Sequence, residues 1–309
     1  MADPHSPNGP KGIYVLPFAE TEHIKFRHLD LPYCEQSDFQ KLDLYLPDGT
    51  TPDGGWPLIV FIHGGAWMQC DKRDIQIIGP LRLLERGYAL ASVNYRLSSE
   101  AIFPAQIFDV KAAIRMLRAK AGSFGLDPDR FAVWGCSAGA HLAALTGATN
   151  DVAVMEDLHM GYEGSSSSVQ AVVDFYGPTK LDQMDEFMTQ TQAGDIDHMM
   201  DGSPESRLLG GIPDSKPGHV IAANPETWIT PKCPPFFFAH APKDPIVPVQ
   251  HSVMLSQKIT AIAGEGQARL VFVENAGHAG PEFDVPELLE AVGDFLDHHL
   301  CVLPHCIAV

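Results

Sequence analysis

A serine with small neighbours, in the run Gly135, Cys136, Ser137, Ala138 and Gly139, follows the apolar stretch RFAVWG and opens the stretch AHLAALTG. A GxSxG pentapeptide between a strand and a helix holds its serine on a sharp, strained turn, and small flanking residues leave the hydroxyl exposed for nucleophilic attack. The helix behind it adds partial positive charge where an oxyanion would develop. Taken alone, the string also fits a glycine-rich turn with no chemistry, so partners are required. About 70 residues upstream, His63, Gly64, Gly65, Ala66 and Trp67 follow the stretch PLIVFI, forming an HGGxW loop of the kind that offers backbone N–H donors to a tetrahedral intermediate. Gly65, Ala66 and Ala138 are the expected donors, with Gly64 as an alternative. His63 is expected to fix the loop by hydrogen bonding. Trp67 and Cys136 are expected at the substrate pocket, with plain core packing as the alternative for Trp67.

That chemistry needs an acid and a base further along, in the order Ser, Asp, His. Asp244 follows the stretch PFFFAHA within PKDPIVP, and His278 follows ARLVFVE within NAGH. Both fall just past a strand end, the edge of a parallel sheet where catalytic groups gather. His278 would take the serine proton and return it to the leaving group, while Asp244 holds the imidazole in the right tautomer. Asp174, late in AVVDFYG, is the rival acid. Other histidines read as bland: His5, His298 and His299 as solvated, His141 and His240 as structural. Asp109 reads as an anchor for Arg96 or a backbone group.

The chain alternates β-branched runs with helical patterns, the signature of a mostly parallel α/β sheet covered on both faces. Strands are expected at 42–47, 57–63, 89–95, 130–135, 171–177, 235–241 and 268–274. Several are continuously apolar, as central parallel strands are. Helices are expected at 105–121, 249–263 and 286–300. Residues 181–228 break the rhythm and read as a lid or cap insertion. Its Met184, Met188, Met199 and Met200 fit gap-filling in a core better than the lining of an adaptable entrance. The organisation expected is a loose segment at 1–20, one α/β domain at 21–300, and a tail at 301–309.

Composition narrows the function classes. A formal net charge of -18 repels phosphate backbones and anionic bilayers, so nucleic acid and membrane are not expected partners. No apolar run is long enough to span a bilayer, and the start MADPHSPNGPKG lacks an apolar signal core, which points to a soluble cytoplasmic protein. The six cysteines show no CxxC pairing, so no metal site and free thiols are expected. Cys306 stands in a formal prenylation box, but Val309 is an unusual last residue and no basic stretch precedes it. Composition neither requires nor excludes a homodimer.

The HGGxW loop, NYRL at 94–97, FPAQ at 103–106, the GxSxG elbow, SPESRLLGG at 203–211, KDPIVP and GHAGPEFD together resemble the α/β-hydrolase esterases of the hormone-sensitive-lipase-like and feruloyl-esterase-like (BD-FAE-like) groups. The resemblance runs from about residue 38 to 300 and implies an eight-stranded hydrolase sheet, no cofactor, and cleavage of small acyl or aryl esters, including acetylated sugars or hydroxycinnamoyl esters. Cys136 stands where the lipase-like pattern often has Asp, and Ala66 and Ala140 where Gly is common. Tannase-type enzymes pair such a cysteine with one following the histidine; here that residue is Ala279. The expected activity is a serine esterase working through an acyl-enzyme. The alternatives are an arylformamidase-type amidase, or a biosynthetic acyl-transfer or cyclisation enzyme on the same fold.

Overall fold

A computed structural model describes residues 16–300. Expectations for residues 1–15 and for the tail, Cys306 included, lie outside the described residues. All seven expected strands form, and an eighth precedes them: β1 (Phe26–Pro32), β2 (Lys41–Leu46), β3 (Trp56–Ile62), β4 (Ala89–Val93), β5 (Leu126–Cys136), β6 (Ala171–Phe175), β7 (Phe236–His240) and β8 (Ala268–Phe272). They make one sheet in the order β1-β2-β4-β3-β5-β6-β7-β8. Both pairings of β2 are antiparallel and the rest are parallel, which matches the sheet implied by the resemblance.

Alternation along the central strands divides the core into two faces. Leu58, Val60 and Ile62 of β3, with Phe131 and Val133 of β5, pack under the helices Ala105–Ala119 and Ala138–Ala148. Ile59 and Phe61, with Ala132 and Trp134, face the opposite way, towards the helix Pro286–Leu300. Burial on both faces is why these strands read as unbroken apolar runs. Asp109 makes both anticipated contacts, accepting from the Arg96 backbone N–H at 2.8 Å and from its guanidinium Nη2 at 2.7 Å.

Between β6 and β7 lie three short helices, Met184–Thr191, Pro204–Leu209 and Pro217–Ala223. Met184 and Met188 are buried in the core, whereas Met200 is exposed. Ahead of β1, Pro17 to Ala19 lie against the turn at Arg73–Ile75: Ala19 N–H donates to Arg73 O at 2.7 Å and Ile75 N–H to Pro17 O at 2.9 Å. Among the described residues, no helix is long and apolar enough to cross a membrane, and the described cysteines Cys34, Cys70, Cys136 and Cys233 are free thiols.

Candidate active site

Four parallel strands release their C-terminal ends at one edge of the sheet, and each delivers one part of the site. β5 runs straight into the elbow. Ser137 has φ 53° and ψ -123°, a conformation that L side chains adopt only under constraint. Here the constraint is a hydrogen bond from Ser137 N–H to Phe175 O at 2.9 Å and the helix Ala138–Ala148 that starts at once. A side chain at Gly135 would overlap the backbone of Gly139, and one at Gly139 would overlap the Ile62 carbonyl of β3. The glycines of the motif are therefore demanded by close backbone approach.

β7 and β8 bring the acid and base together. Ser137 Oγ lies 2.9 Å from His278 Nε2, and His278 Nδ1 lies 2.8 Å from Asp244 Oδ2. The other oxygen of Asp244 accepts from Ile246 N–H at 2.8 Å and Val247 N–H at 2.9 Å. Burial pushes the Asp244 carboxyl up, but the charge of His278 and hydrogen bonds from His240 and His278 outweigh it and hold the group well below the usual carboxylate range. The rival Asp174 is turned elsewhere, accepting from Gly177 N–H at 2.9 Å. His240 is structural: Nδ1 meets Ser252 Oγ at 2.7 Å and Nε2 meets Val247 O at 2.8 Å.

β3 leads into the HGGAW loop. Gly65, Ala66 and Trp67 have φ of 104°, 54° and 56°, a run of positive-φ residues that only a constrained loop adopts. Gly65, Ala66 and Ala138 donate to no described protein acceptor, which suits them to receive an oxyanion. Gly64 corrects the expectation for this loop, because its N–H is taken by Gln76 Oε1 at 2.8 Å. His63 fixes the loop as expected: its Nδ1 lies 2.8 Å from Gly64 O, its ring stacks on Tyr95 at 4.5 Å, and burial lowers its pKa to about 4, so it is neutral.

The two residues expected at the pocket, Trp67 and Cys136, are both buried, and for Trp67 the core alternative holds. Trp67 is 1% exposed; it lies in the core and donates its indole N–H to His141 Nδ1 at 3.2 Å, while His141 Nε2 meets Ala223 O at 2.8 Å. Cys136 is buried behind the elbow, with Sγ 2.7 Å from Gln76 Oε1. Sequence reasoning missed Gln76 and Tyr176. Tyr176 sits at φ 49° past the end of β6 and packs edge-on against His278, ring centroids 4.9 Å apart, and against Phe283 at 4.4 Å. Its place at the same sheet edge as the other groups was the available signal. Gln76 carried none. Among the described residues there is no grouping of His, Cys, Asp and Glu able to hold a metal ion.

Residues 42–259 match the BD-FAE family. The chain belongs to that family. Esterase LipQ of Mycobacterium tuberculosis is 33% identical over 296 residues, 92% of this chain and 66% of its own length. Among solved structures, a truncated form of a carbohydrate esterase from gut microbiota aligns with a TM-score of 0.81 at 28% identity, covering 92% of this BD-FAE chain and 100% of that one. A bifunctional GH43-CE protein of Bacteroides eggerthii aligns at 0.77 with 34% identity over 89% of this chain and 35% of its own. These neighbours identify the sheet and its flanking helices as the α/β-hydrolase fold. The chain spans about half to two thirds of the length of the curated relatives it matches.

Proposed function

We propose that this BD-FAE chain is a serine hydrolase that cleaves small carboxylic esters through an acyl-enzyme. The observation that carries the reading is the unbroken relay from Ser137 Oγ to His278 Nε2 at 2.9 Å and from His278 Nδ1 to Asp244 Oδ2 at 2.8 Å, beside the N–H groups of Gly65 and Ala66, which donate to no described protein acceptor. Ser137 Oγ attacks the ester carbonyl as its proton passes to His278 Nε2. The carbonyl oxygen becomes an oxyanion facing the N–H groups of Gly65, Ala66 and Ala138. Collapse breaks the bond to the alcohol oxygen, which leaves with the proton from His278, and the acyl group stays on Ser137. Water then attacks with His278 again as base, releasing the acid. Asp244 stays ionised throughout and orients the imidazole.

The carbohydrate esterase among the structural neighbours favours an acylated sugar as the substrate, with the sugar as its alcohol half. Residues 181–228 act as a cap beside the site in this reading; the backbone of Gly194 packs against Pro245, next to Asp244, and Ala223 O holds His141.

The test is a side-by-side assay of the chain and Ser137→Ala on p-nitrophenyl esters from acetate to octanoate, methyl ferulate, an acetylated xyloside and an N-formyl aromatic amine. Ester turnover should fall by about a thousandfold or more in the variant, as removal of a triad nucleophile does elsewhere. Turnover of the formamide alone would replace the ester reading with an amidase. Activity surviving in Ser137→Ala would remove the serine mechanism.

A further inference from the structure

One side-chain atom connects the two loops that must cooperate in the reaction. Gln76 Oε1 accepts from Gly64 N–H at 2.8 Å and from the Cys136 thiol at 2.7 Å. Gly64 stands at the head of the HGGAW loop after β3, and Cys136 is the residue before the nucleophile at the end of β5. Gln76 belongs to neither; it sits on the short 3-10 turn Ile75–Ile77. Both of its partners are donors, and this fixes the amide with its oxygen towards them.

We propose that Gln76 is a positioning residue that aims the oxyanion hole by clamping Gly64 to the nucleophile elbow. The inference rests on the serine-hydrolase reading above and adds a residue to it. Gly64 lacks a side chain, so packing alone does not hold its φ and ψ. Its two polar groups are pinned instead. The N–H is held by Gln76, and the C=O is held by His63 Nδ1 at 2.8 Å. That C=O shares a planar peptide unit with the Gly65 N–H, which points the opposite way. Fixing Gly64 at both ends therefore fixes where the Gly65 donor points, and Ala66 follows.

The clamp also sets the distance between the loops. A Cβ built on Gly64 would lie 3.1 Å from Gln76 Oε1, 2.9 Å from Cys136 O and 3.2 Å from Ser137 Cβ, so the loop rests directly on the elbow. Burial pushes the Cys136 thiol up to about 12, which keeps it protonated and a donor. The turn carrying Gln76 is itself secured, with Ile77 N–H donating to Asp74 O at 3.1 Å and Ile75 N–H to Pro17 O at 2.9 Å.

The experiment compares the full chain with Gln76→Leu, Cys136→Ala and the double variant. For each it reads kcat and KM on p-nitrophenyl butyrate, the inhibition constant of benzeneboronic acid (which forms a tetrahedral adduct on serine), and the unfolding midpoint. Removing an oxyanion donor outright costs about a hundredfold to a thousandfold, so misaiming the donors should lower kcat by about 10- to 100-fold with KM within about threefold. Boronate affinity should weaken by a similar factor, which a loss of general stability would not produce. Cys136→Ala should lose less, and the double variant should be no worse than Gln76→Leu, since both act through one atom. Unchanged kcat in folded Gln76→Leu, or a fall in kcat with boronate affinity intact, overturns the positioning role alone. If Gln76→Leu does not fold, boronate affinity of Cys136→Ala decides, and an unchanged value overturns the proposal. A wild-type chain without Ser137-dependent ester turnover overturns both readings.

Discussion

Two buried aspartates at the ends of neighbouring strands show how surroundings assign roles to identical side chains. Asp244 has three donors within 2.9 Å across its two oxygens, two backbone N–H groups and His278, with His240 Nε2 further off at 3.5 Å, and stays ionised. Asp174 has one donor, Gly177 N–H, and its Oδ2 has no partner. Burial raises its pKa to about 6, with the Gly177 hydrogen bond and the nearby His240 only partly opposing the shift. A carboxyl whose folded pKa lies above its unfolded value binds its proton more tightly when folded, so it penalises folding at high pH. The penalty is complete above about pH 6, shrinks as pH falls towards 3.8, and is gone below that. Asp174→Asn keeps an acceptor for Gly177 and removes the charge. It should gain about 1 to 3 kcal/mol in urea unfolding at pH 8, with the gain fading by pH 4, and should keep ester turnover within about threefold because Asp174 does not touch His278. A gain independent of pH would show that Asp174 is not the source. At this scale the sequence made Ser137, Asp244 and His278 readable, since each sits at a strand end in a recognisable string. Gln76 was silent, and Tyr176 marked only by its place past a strand end, because their parts come from contacts between segments 60 and 102 residues apart: Gln76 with Cys136, and Tyr176 with His278.

Elements meet most tightly where the helix Ala138–Ala148 crosses the end of β3. A Cβ on Gly139 would overlap the carbonyls of Ile62 and His63, backbone atoms with no side chain to swing aside. Gly139→Ala should therefore cost about 3 kcal/mol or more and lower the thermal midpoint by at least about 6 °C; a shift under a degree would mean that the strand end yields freely. Burial explains which elements could be read in advance. The seven expected strands carry two-sided or alternating apolar patterns. β1 does not: Arg27, His28 and Asp30 interrupt its apolar residues, Asp30 takes φ 54° at a break in register, and Pro32 ends it, whereas β8, equally half-buried or exposed at the other edge, keeps the apolar run Leu270–Phe272. The helices between β6 and β7 are only six to eight residues long, too short for a 3.6-residue period to stand out.

Across the whole molecule the proposed site is assembled from strands of unequal security. The nucleophile and the donor loop hang from β5 and β3, which lie inside the sheet with neighbours on both sides and are fully buried over Phe131–Cys136 and Pro57–Ile62, the stretches that lead into the site. The base hangs from β8, the last strand, which has β7 on one side only and leaves Phe272 49% exposed. Its loop follows with Gly277, Ala279 and Gly280 exposed. Edges of a fold open at lower free energy than its centre. Heating should therefore detach the imidazole while the serine is still held in place. Ester turnover measured at temperature should fade reversibly several degrees below the calorimetric transition, and amide hydrogens of β8 should exchange with solvent faster than those of β5. Coincident loss of turnover and of the sheet would instead mean that the edge and the centre melt as one unit. Where the edge opens first, the temperature ceiling for turnover is set by the least-supported strand, and bracing β8 from outside would raise that ceiling without touching any reacting group.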